Sequence, residues 1–355
     1  MIKMILKIVL AVVLLIALIL GGIILYAQMT DFRPDEKMNV EQKGATDTII
    51  GKDTLTFFNW NIGYSGLGAE MDFFYDGGEN VITPKDMVAK YFDGIKKNVG
   101  AYKGVDFMLL QEVDVASKRS HRLNQMEGIA SLRNDWSHTF GKNYDVKFVP
   151  LPFSKPMGKV KSGLLTLTPF KSTENTRYQF PGNFSWPKGL FFLDRCFLLQ
   201  RFAVKNGKEL IVINTHNSAY DDGTLKKQQM EYLKKVLMAE YEKGNYVIVG
   251  GDWNQNPPGF DNKYFEKKGG EAAYEQVPVS FDYMPQGWLW AYDPDVPTNR
   301  KVSYPYDPAK TFTTIIDFYL LSPNVKLNKV KSIDLDFQFS DHQPVTMEIV
   351  LQPQS

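Results

Sequence analysis

Short apolar runs that stop at a polar residue recur along this chain, and they set its architecture. The runs LTFFNWN from Leu55, VDFMLLQE from Val105, ELIVINTH from Glu209, YVIVGGDWN from Tyr246 and IIDFYLLS from Ile315 are β-branched or aromatic and of strand length. Their unbroken apolar character predicts strands buried on both faces. Helical spacing falls between some of them, over Asp86 to Val99, around His121 to Leu132, and most clearly over Thr224 to Lys243. In the last, Met230, Leu233, Leu237 and Tyr241 line one face, Asp222 or Thr224 can cap the start, and Gly244 stands where a left-handed C-cap is wanted. SGLLTLT from Ser162 and CFLLQRFAV from Cys196 are further strands with no helix between them. Alternating and consecutive strands together predict two mixed sheets facing each other with helices outside. No repeat at solenoid or propeller spacing and no low-complexity stretch breaks the pattern.

The N-terminus carries a different pattern. From Ile8 to Ala27 the chain runs 20 residues without a charge, and a helix of that length covers ~30 Å, the thickness of a bilayer core. A cleaved signal peptide would have an apolar region of ~7–15 residues ending in small residues, and Leu25-Tyr26-Ala27 matches that poorly. An uncleaved anchor is the favoured reading. Lys3 and Lys7 precede the span, so the positive-inside rule keeps residues 1–7 cytoplasmic and exports the rest. Residues 28–53 are polar, contain Pro34 and show no sustained periodicity, which predicts a tether. Residues 54–355 are then the folded domain.

Composition narrows the function. With 44% hydrophobic and 23% charged residues over 355 positions, disorder and collagen-like repeats are excluded. Setting aside Lys3 and Lys7, 39 basic residues face 40 acidic ones, a net charge of −1. A domain that holds polyanions by bulk charge is more basic than that. Cys196 is the single cysteine, so neither an intrachain disulfide nor a zinc cluster staples the fold. In its apolar run it reads as a small packed hydrophobe.

The chemistry lies in the polar residues that close the strands: Asn59 and Asn61, Glu112, His216, Asp252 with Asn254, Asp317, and the turn Ser340-Asp341-His342. Core strands do not need carboxylates, amides and histidines at their ends. Hard divalent cations bind carboxylate oxygens while keeping several waters, so one or two of these groups suffice to hold Mg²⁺. Asp and His together can activate water and protonate a leaving oxygen, which is the composition of sites that hydrolyse phosphate esters.

The ordered series Trp60-Asn61, Gln111-Glu112, Thr215-His216, Gly251-Asp252-Trp253-Asn254, Ile316-Asp317 and Ser340-Asp341-His342 resembles the endonuclease/exonuclease/phosphatase superfamily over residues 55 to 350. The resemblance implies a four-layer α/β sandwich, here preceded by one transmembrane helix, with the active site at one edge of the facing sheets. It implies Glu112 as principal Mg²⁺ ligand, with Mn²⁺ as an alternative metal, Asn61 beside it, and Asp341 placing the metal or its waters. Asp252 orients or deprotonates the attacking water and Asn254 holds the phosphate. His342 contacts phosphoryl oxygens and is held by Asp317, while His216 matches the histidine that secreted deoxyribonucleases of the superfamily use near the leaving oxygen. The following Asn217-Ser218-Ala219 is similar to their loop, and the apurinic-site endonucleases differ there.

Plainer readings stand beside these roles. Asn59 and Asn61 share a strand face, so one of them can simply cap a turn. Glu112 can be a solvated strand end, and Asp252 with Asn254 an ordinary turn after Gly250-Gly251. His121 and His138 lie outside the motifs and read as surface or helix-face residues. Two aromatic-rich stretches, Tyr64 to Asn80 and Phe281 to Tyr306, are expected to border the site or to pack on themselves. In the second, Thr298-Asn299-Arg300 resembles a family element near the substrate, so Arg300 is a candidate phosphate contact, with Arg195 a weaker one. Lys159 and Lys161 do not amount to a nucleic-acid patch.

These readings converge on a membrane-anchored, extracytoplasmic, Mg²⁺-dependent phosphoesterase acting on phosphodiesters. Its anchor and the presence of sphingomyelinases in the superfamily point to a lipid head group. An exported nuclease with nucleic acid as substrate is the second expectation, and a catalytically silent binding protein on the same fold the third. No protein partner is evident.

Overall fold

The computed structural model describes residues 1–44, 48–219, 221, 223–267, 269–271 and 278–352. In chain order it contains α1 (Ile2–Thr30), β1 (Lys37–Asn39), β2 (Gln42–Lys43), β3 (Thr54–Asn61), α2 (Lys85–Ala101), β4 (Phe107–Asp114), α3 (Gln125–Ala130), β5 (Ser137–Val149), β6 (Gly158–Thr168), β7 (Glu174–Gln179) and β8 (Cys196–Ala203). There follow β9 (Glu209–His216), α4 (Thr224–Glu242), β10 (Tyr246–Asp252), β11 (Leu289–Ala291), β12 (Asn299–Arg300), β13 (Thr313–Thr314), β14 (Asp317–Leu321), β15 (Val325–Ser332) and β16 (Val345–Leu351).

The strands build two seven-stranded sheets, ordered β15-β16-β3-β4-β6-β5-β2 and β1-β7-β8-β9-β10-β14-β11, with β12 and β13 in a separate ribbon. Only two of these pairings, β3 with β4 and β9 with β10, are parallel within the sheets. A parallel pair needs a crossover, and α2 and α4 supply it. The period of two along β3 explains the layering: Leu55 and Phe57 enter the core between the sheets, whereas Phe58 and Trp60 face the outer layer with α2. Phe57 stacks on Phe107 at 4.9 Å, and Phe107 meets Phe202 of the other sheet edge-on at 5.1 Å. On α2, Val88, Phe92, Ile95 and Val99 are buried at helical spacing, and on α4 Met230, Leu233 and Leu237 pack on the second sheet. The two facing sheets with helices outside are the architecture the strand pattern predicts.

Towards one end of the inter-sheet layer the core turns polar. Asn59 and Asn61 continue the inward face of β3. The Gln111 amide donates to Asn59 at 2.9 Å and to Asn214 at 2.7 Å, and Asn214 donates to the carbonyls of Leu110 and Leu165 at 3.2 Å each. These buried amides link the sheets because each finds partners on the opposite one.

Several local expectations are corrected. The apolar helix is longer than Ile8 to Ala27 and includes Lys3 and Lys7. Residues 28–53 are not a free tether: β1 pairs with β7 and β2 with β5, so this stretch covers an edge of each sheet. Strands of three and two residues leave no periodicity to read. The helix expected over His121 to Leu132 shrinks to α3, because His121 and Arg122 have φ of 52° and 61° and only Asn124 caps a helical start. For α4, Asp222 lies outside the described residues and Thr224 is the first helical residue. The capping oxygen is Oδ2 of Asp221, which accepts from the amides of Leu225 and Lys226 at 3.0 and 3.2 Å. Cys196 is buried, as a packed hydrophobe should be.

Candidate active site

Sheet register brings the polar strand ends together. Asn61 is opposite Gln111 in the parallel pair β3–β4, and Asp252 is opposite His216 in β9–β10. Asp317 begins its strand rather than ending it, and because β14 runs antiparallel to β10 its first residue lies opposite Asp252. Backbone irregularities then aim the side chains. The β4–β6 register shifts between Leu110 and Val113, and Glu112 takes φ 54° in that bulge. Asn254 has φ 51°, just after Asp252. Gly251 is required by close approach, since a Cβ there would drive into the carbonyl oxygen of Thr215.

Asp252 is at the centre. Its Oδ2 accepts from the Asn61 amide at 2.9 Å and lies 3.4 Å from His216 Nε2 and 3.8 Å from His342 Nε2. Its Oδ1 accepts from the Asn254 backbone amide at 2.9 Å. His342 is held through Nδ1 by Asp317 Oδ2 at 2.8 Å, and its Nε2 lies 3.1 Å from the Asn299 amide and 4.0 Å from Asp341. The Trp60 indole donates to the His342 carbonyl at 2.9 Å, which fixes the backbone of the turn. Glu112 lies 3.4 Å from the Asn61 amide, 4.0 Å from His216 and 3.9 Å from Arg119. Asn61 also caps its own turn, its Oδ1 accepting from Gly63 at 3.0 Å, whereas Asn59 ties β3 to the Gly251 carbonyl at 3.3 Å.

The two imidazoles beside Asp252 are driven apart electrostatically. Burial opposes charge on His342, but Asp317, Asp341 and Asp252 prevail and hold it well above the ordinary imidazole value. Burial pushes His216 well below that value, reinforced by Arg195, His342 and Arg119. The surroundings therefore favour the charged form of His342 and the neutral form of His216, a separation that suits distinct acid and base roles. Burial raises Asp317 to about 6 against the pull of His342.

The donor set fits a hard divalent cation. Burial raises Asp341 to about 7, with the nearby Glu112 carboxylate adding to the rise and His342 opposing it. A cation would relieve that crowding of negative charge. Oxygens of Asp252 and Asp317 and a ring nitrogen of His342 also lie within 4.8 Å of one another. That cluster shares Asp317 and His342 with the hydrogen bond that aims the imidazole, whereas Glu112 and Asp341 offer carboxylates outside it.

Eight of the predicted residues thus meet at one place: Asn61, Glu112, His216, Asp252, Asn254, Asp317, Asp341 and His342. Six of them, Glu112, His216, Asp252, Asn254, Asp341 and His342, border a cavity of about 580 Å³ that Arg195 also lines, while Asn61 and Asp317 stand behind Asp252 and His342. Two substrate contacts are corrected. The Asn217 side chain is fully buried, accepting from Thr215 Oγ1 at 2.6 Å and facing Met230, and it does not line the cavity. The Arg300 guanidinium spans the carbonyls of Leu67, Gly68 and Met71 at 3.2, 2.9 and 3.0 Å and reaches those of Lys301 and Tyr304. It clamps loops together at the cavity wall, which it also lines, so its donors serve the fold first. From the same tripeptide Asn299, not Arg300, touches His342.

Sequence reasoning missed Arg119 and the segment 182–193. Arg119 forms a bidentate pair with buried Asp114 at 3.1 and 2.9 Å and lies 3.7 Å from the Tyr64 ring centre, beside Glu112. Gly182, Phe184, Lys188 and Phe192 contribute a cavity wall. Of the aromatic stretches, the first lines the cavity through Tyr64, Phe73 and Tyr75, while Tyr283, Trp288, Trp290 and Tyr292 of the second pack outside the second sheet. His121 is exposed and bonded to the Thr83 carbonyl at 2.7 Å, away from the cavity-lining set.

The family model described as "Endonuclease/Exonuclease/phosphatase family" matches residues 59–342. No curated protein matches the sequence. Among solved structures, an endonuclease/exonuclease/phosphatase from Bacteroides vulgatus is 14% identical with TM-score 0.55, covering 85% of this chain and 100% of that one. One from Beutenbergia cavernae is 18% identical with TM-score 0.53, covering 85% and 72%. ANGEL2, described as a 2',3'-cyclic phosphatase, is 16% identical with TM-score 0.54, covering 89% and 99%. At these identities the likeness is one of fold.

Proposed function

The chain belongs to the endonuclease/exonuclease/phosphatase family, and from that membership we propose a membrane-anchored, extracytoplasmic phosphoesterase that hydrolyses a phosphodiester, such as that of a lipid head group, by attack of water. The observation that carries this is the setting of Asp252, whose Oδ2 lies 3.4 Å from His216 Nε2 and 3.8 Å from His342 Nε2 at the edge of a cavity.

Asp252 orients the water and takes its proton. His342, kept charged and aimed by Asp317, donates to a phosphoryl oxygen. His216, neutral, offers a hydrogen bond on the side of the departing oxygen. Asn254 donates one amide hydrogen to the Asn217 carbonyl at 3.0 Å, which leaves the other for the phosphate. Glu112, Asn61 and Asp341 would hold Mg²⁺ or Mn²⁺, which when bound offsets negative charge on the phosphoryl oxygens.

A lipid substrate is favoured by the cavity's composition. Besides the carboxylates it is lined by Leu67, Phe73, Tyr144, Met157, Phe184 and Phe192, which suits an amphiphile carrying a phosphate. The second reading, an exported nuclease, is favoured by the His216-Asn217-Ser218-Ala219 loop. The apical helix α1 is the proposed anchor, with residues 1–7 cytoplasmic.

The test is hydrolysis by the full chain in phospholipid vesicles and of plasmid DNA, with Mg²⁺ and after chelation, beside Asp252→Asn. Lipid hydrolysis that needs the metal and falls by roughly 10²–10⁴ in the variant is expected. Unchanged turnover in Asp252→Asn sinks the mechanism, and metal-dependent DNA cleavage without lipid cleavage moves the assignment to the nuclease.

A further inference from the structure

The end of α1 is packed onto the catalytic domain rather than separated from it. Ala27 is buried and Ile23 and Ile24 are partly covered where the helix meets β5 and the turn at Lys188–Phe191. Just beyond, Phe32 lies over the Lys142 ammonium at 3.5 Å, and β1 begins at Lys37. The domain is therefore held close to the plane at which the helix leaves the bilayer.

That plane can be located. The unbroken apolar run ends at Ala27 and the first polar side chain after it is Gln28, which therefore stands at the level of the lipid head groups. The Trp186 indole donates to Gln28 Oε1 at 3.2 Å, which places Trp186 at that level too. Its ring is 68% exposed, although an exposed indole has no packing reason to be there. Indoles with one polar bond and an apolar face settle at membrane interfaces. The loop that carries Trp186 also lines the active-site cavity through Asn183, Phe184 and Lys188.

A second loop repeats the pattern. Residues 151–157 line the same cavity through Leu151 and Met157, and Met157 shares a cluster with Phe191 and Leu193 of the first loop. Here Phe153 is 68% exposed and Lys155 is exposed as well. Each loop thus offers an exposed aromatic ring beside a lysine, a combination suited to a surface of phosphates over hydrocarbon.

We infer that the loops 151–157 and 183–192 form a docking surface for the head-group layer of the bilayer that holds α1, so that the active-site cavity opens at the membrane surface. The inference rests on the anchoring proposed above and names where substrate enters, from the lipid layer rather than from bulk water. The other occupants of such a surface, a second copy of the chain or a soluble protein, would leave the rings out of lipid.

Trp186 is the one exposed tryptophan among the described residues, so its depth can be read by fluorescence. The full chain is reconstituted into phosphatidylcholine–phosphatidylglycerol vesicles carrying a nitroxide near the glycerol end of the acyl chain. We expect quenching in the wild type, loss of the quenchable component in Trp186→Phe, and its return in the double variant Phe153→Trp/Trp186→Phe. Quenching equal in wild type and Trp186→Phe overturns the inference, as does absence of quenching in the double variant. Extraction of the wild-type chain from the vesicles by alkaline carbonate overturns the anchoring itself. None of these readings requires turnover, so loss of the catalytic assignment would leave them interpretable.

Discussion

Arg119 is the perturbation that best separates support of the site from chemistry within it. Asp114 is fully buried and its carboxylate is satisfied by Arg119 at 3.1 and 2.9 Å and by Ser120 Oγ at 2.8 Å. Arg119→Met removes the cation and leaves a buried carboxylate that no other described cation contacts, which costs about 3–5 kcal/mol. Asp114→Asn/Arg119→Met removes both charges and keeps an acceptor for Ser120, so the pair should recover about 2 kcal/mol relative to Arg119→Met. Urea unfolding of the four proteins measures this. Arg119 also lies 3.9 Å from Oε2 of Glu112, which stands at φ 54° in a bulge and whose other oxygen faces Asn61 and His216. Loss of that neighbour should weaken Mg²⁺ binding by about 10–100-fold, as for other residues that orient a ligand. Calorimetry on the double variant reads this without the instability of the single one. A coupling energy below about 0.5 kcal/mol, or Mg²⁺ affinity unchanged in the double variant, would refute the reasoning.

Two further predictions concern the frame. Gly251→Ala should destabilise the protein by about 1–3 kcal/mol, because the added Cβ meets the Thr215 carbonyl between β9 and β10; a shift of under about 0.5 kcal/mol in chemical unfolding, the range of ordinary surface changes, would contradict this. At Glu240 burial opposes the charge, but Arg201, Lys243 and Asn245 bring the carboxyl down to about 2. The stability it contributes is complete above the unfolded value of about 4.3 and drains away as pH falls from there towards 2, so the urea midpoint should drop between pH 5 and pH 3 less steeply in Glu240→Gln; equal slopes would place the acid sensitivity elsewhere.

How much of this was legible depended on what kind of order a residue obeys. Strand residues obey a period, and β9 begins at Glu209 and ends at His216 as its run does. The site residues were legible because each interrupts an apolar run at its edge, where burial of a polar group must have a reason. Asp317 does lie beside Asp252 and His342, but at the start of its strand rather than the end, since a run of apolar letters has no direction until its partner is known. Arg300 was misread because an arginine in a family element looks like an anion contact. Only the folded chain shows five carbonyls converging on it. Arg119 was hidden among Lys118, Arg122 and other polar neighbours, and its one sequence signal was an acidic residue, Asp114, continuing a strand past the motif glutamate. β1 and β2 are too short to show a period and take their conformation from the edges they cover, and the 182–193 wall has no period at all.

The same edge geometry explains why chemistry collects where it does. Along β3 the inward positions run Leu55, Phe57, Asn59, Asn61, passing from apolar core through a satisfied amide layer to the cavity. The amides of Asn59, Gln111 and Asn214 can replace hydrophobes there only because they bond across to the other sheet, and they end the dry core without opening it. Beyond them Glu112, Asp252, Asp317 and Asp341 lie close together while Arg119 is committed to Asp114, and the positive groups that face them are His342, whose charged form they favour, with Arg195 and Lys226 in the cavity wall. Such an excess of negative charge works against folding unless something else binds there. A site that destabilises its own empty state is an arrangement selected for a ligand, and the packing of the two sheets behind it supplies the stability that lets it persist.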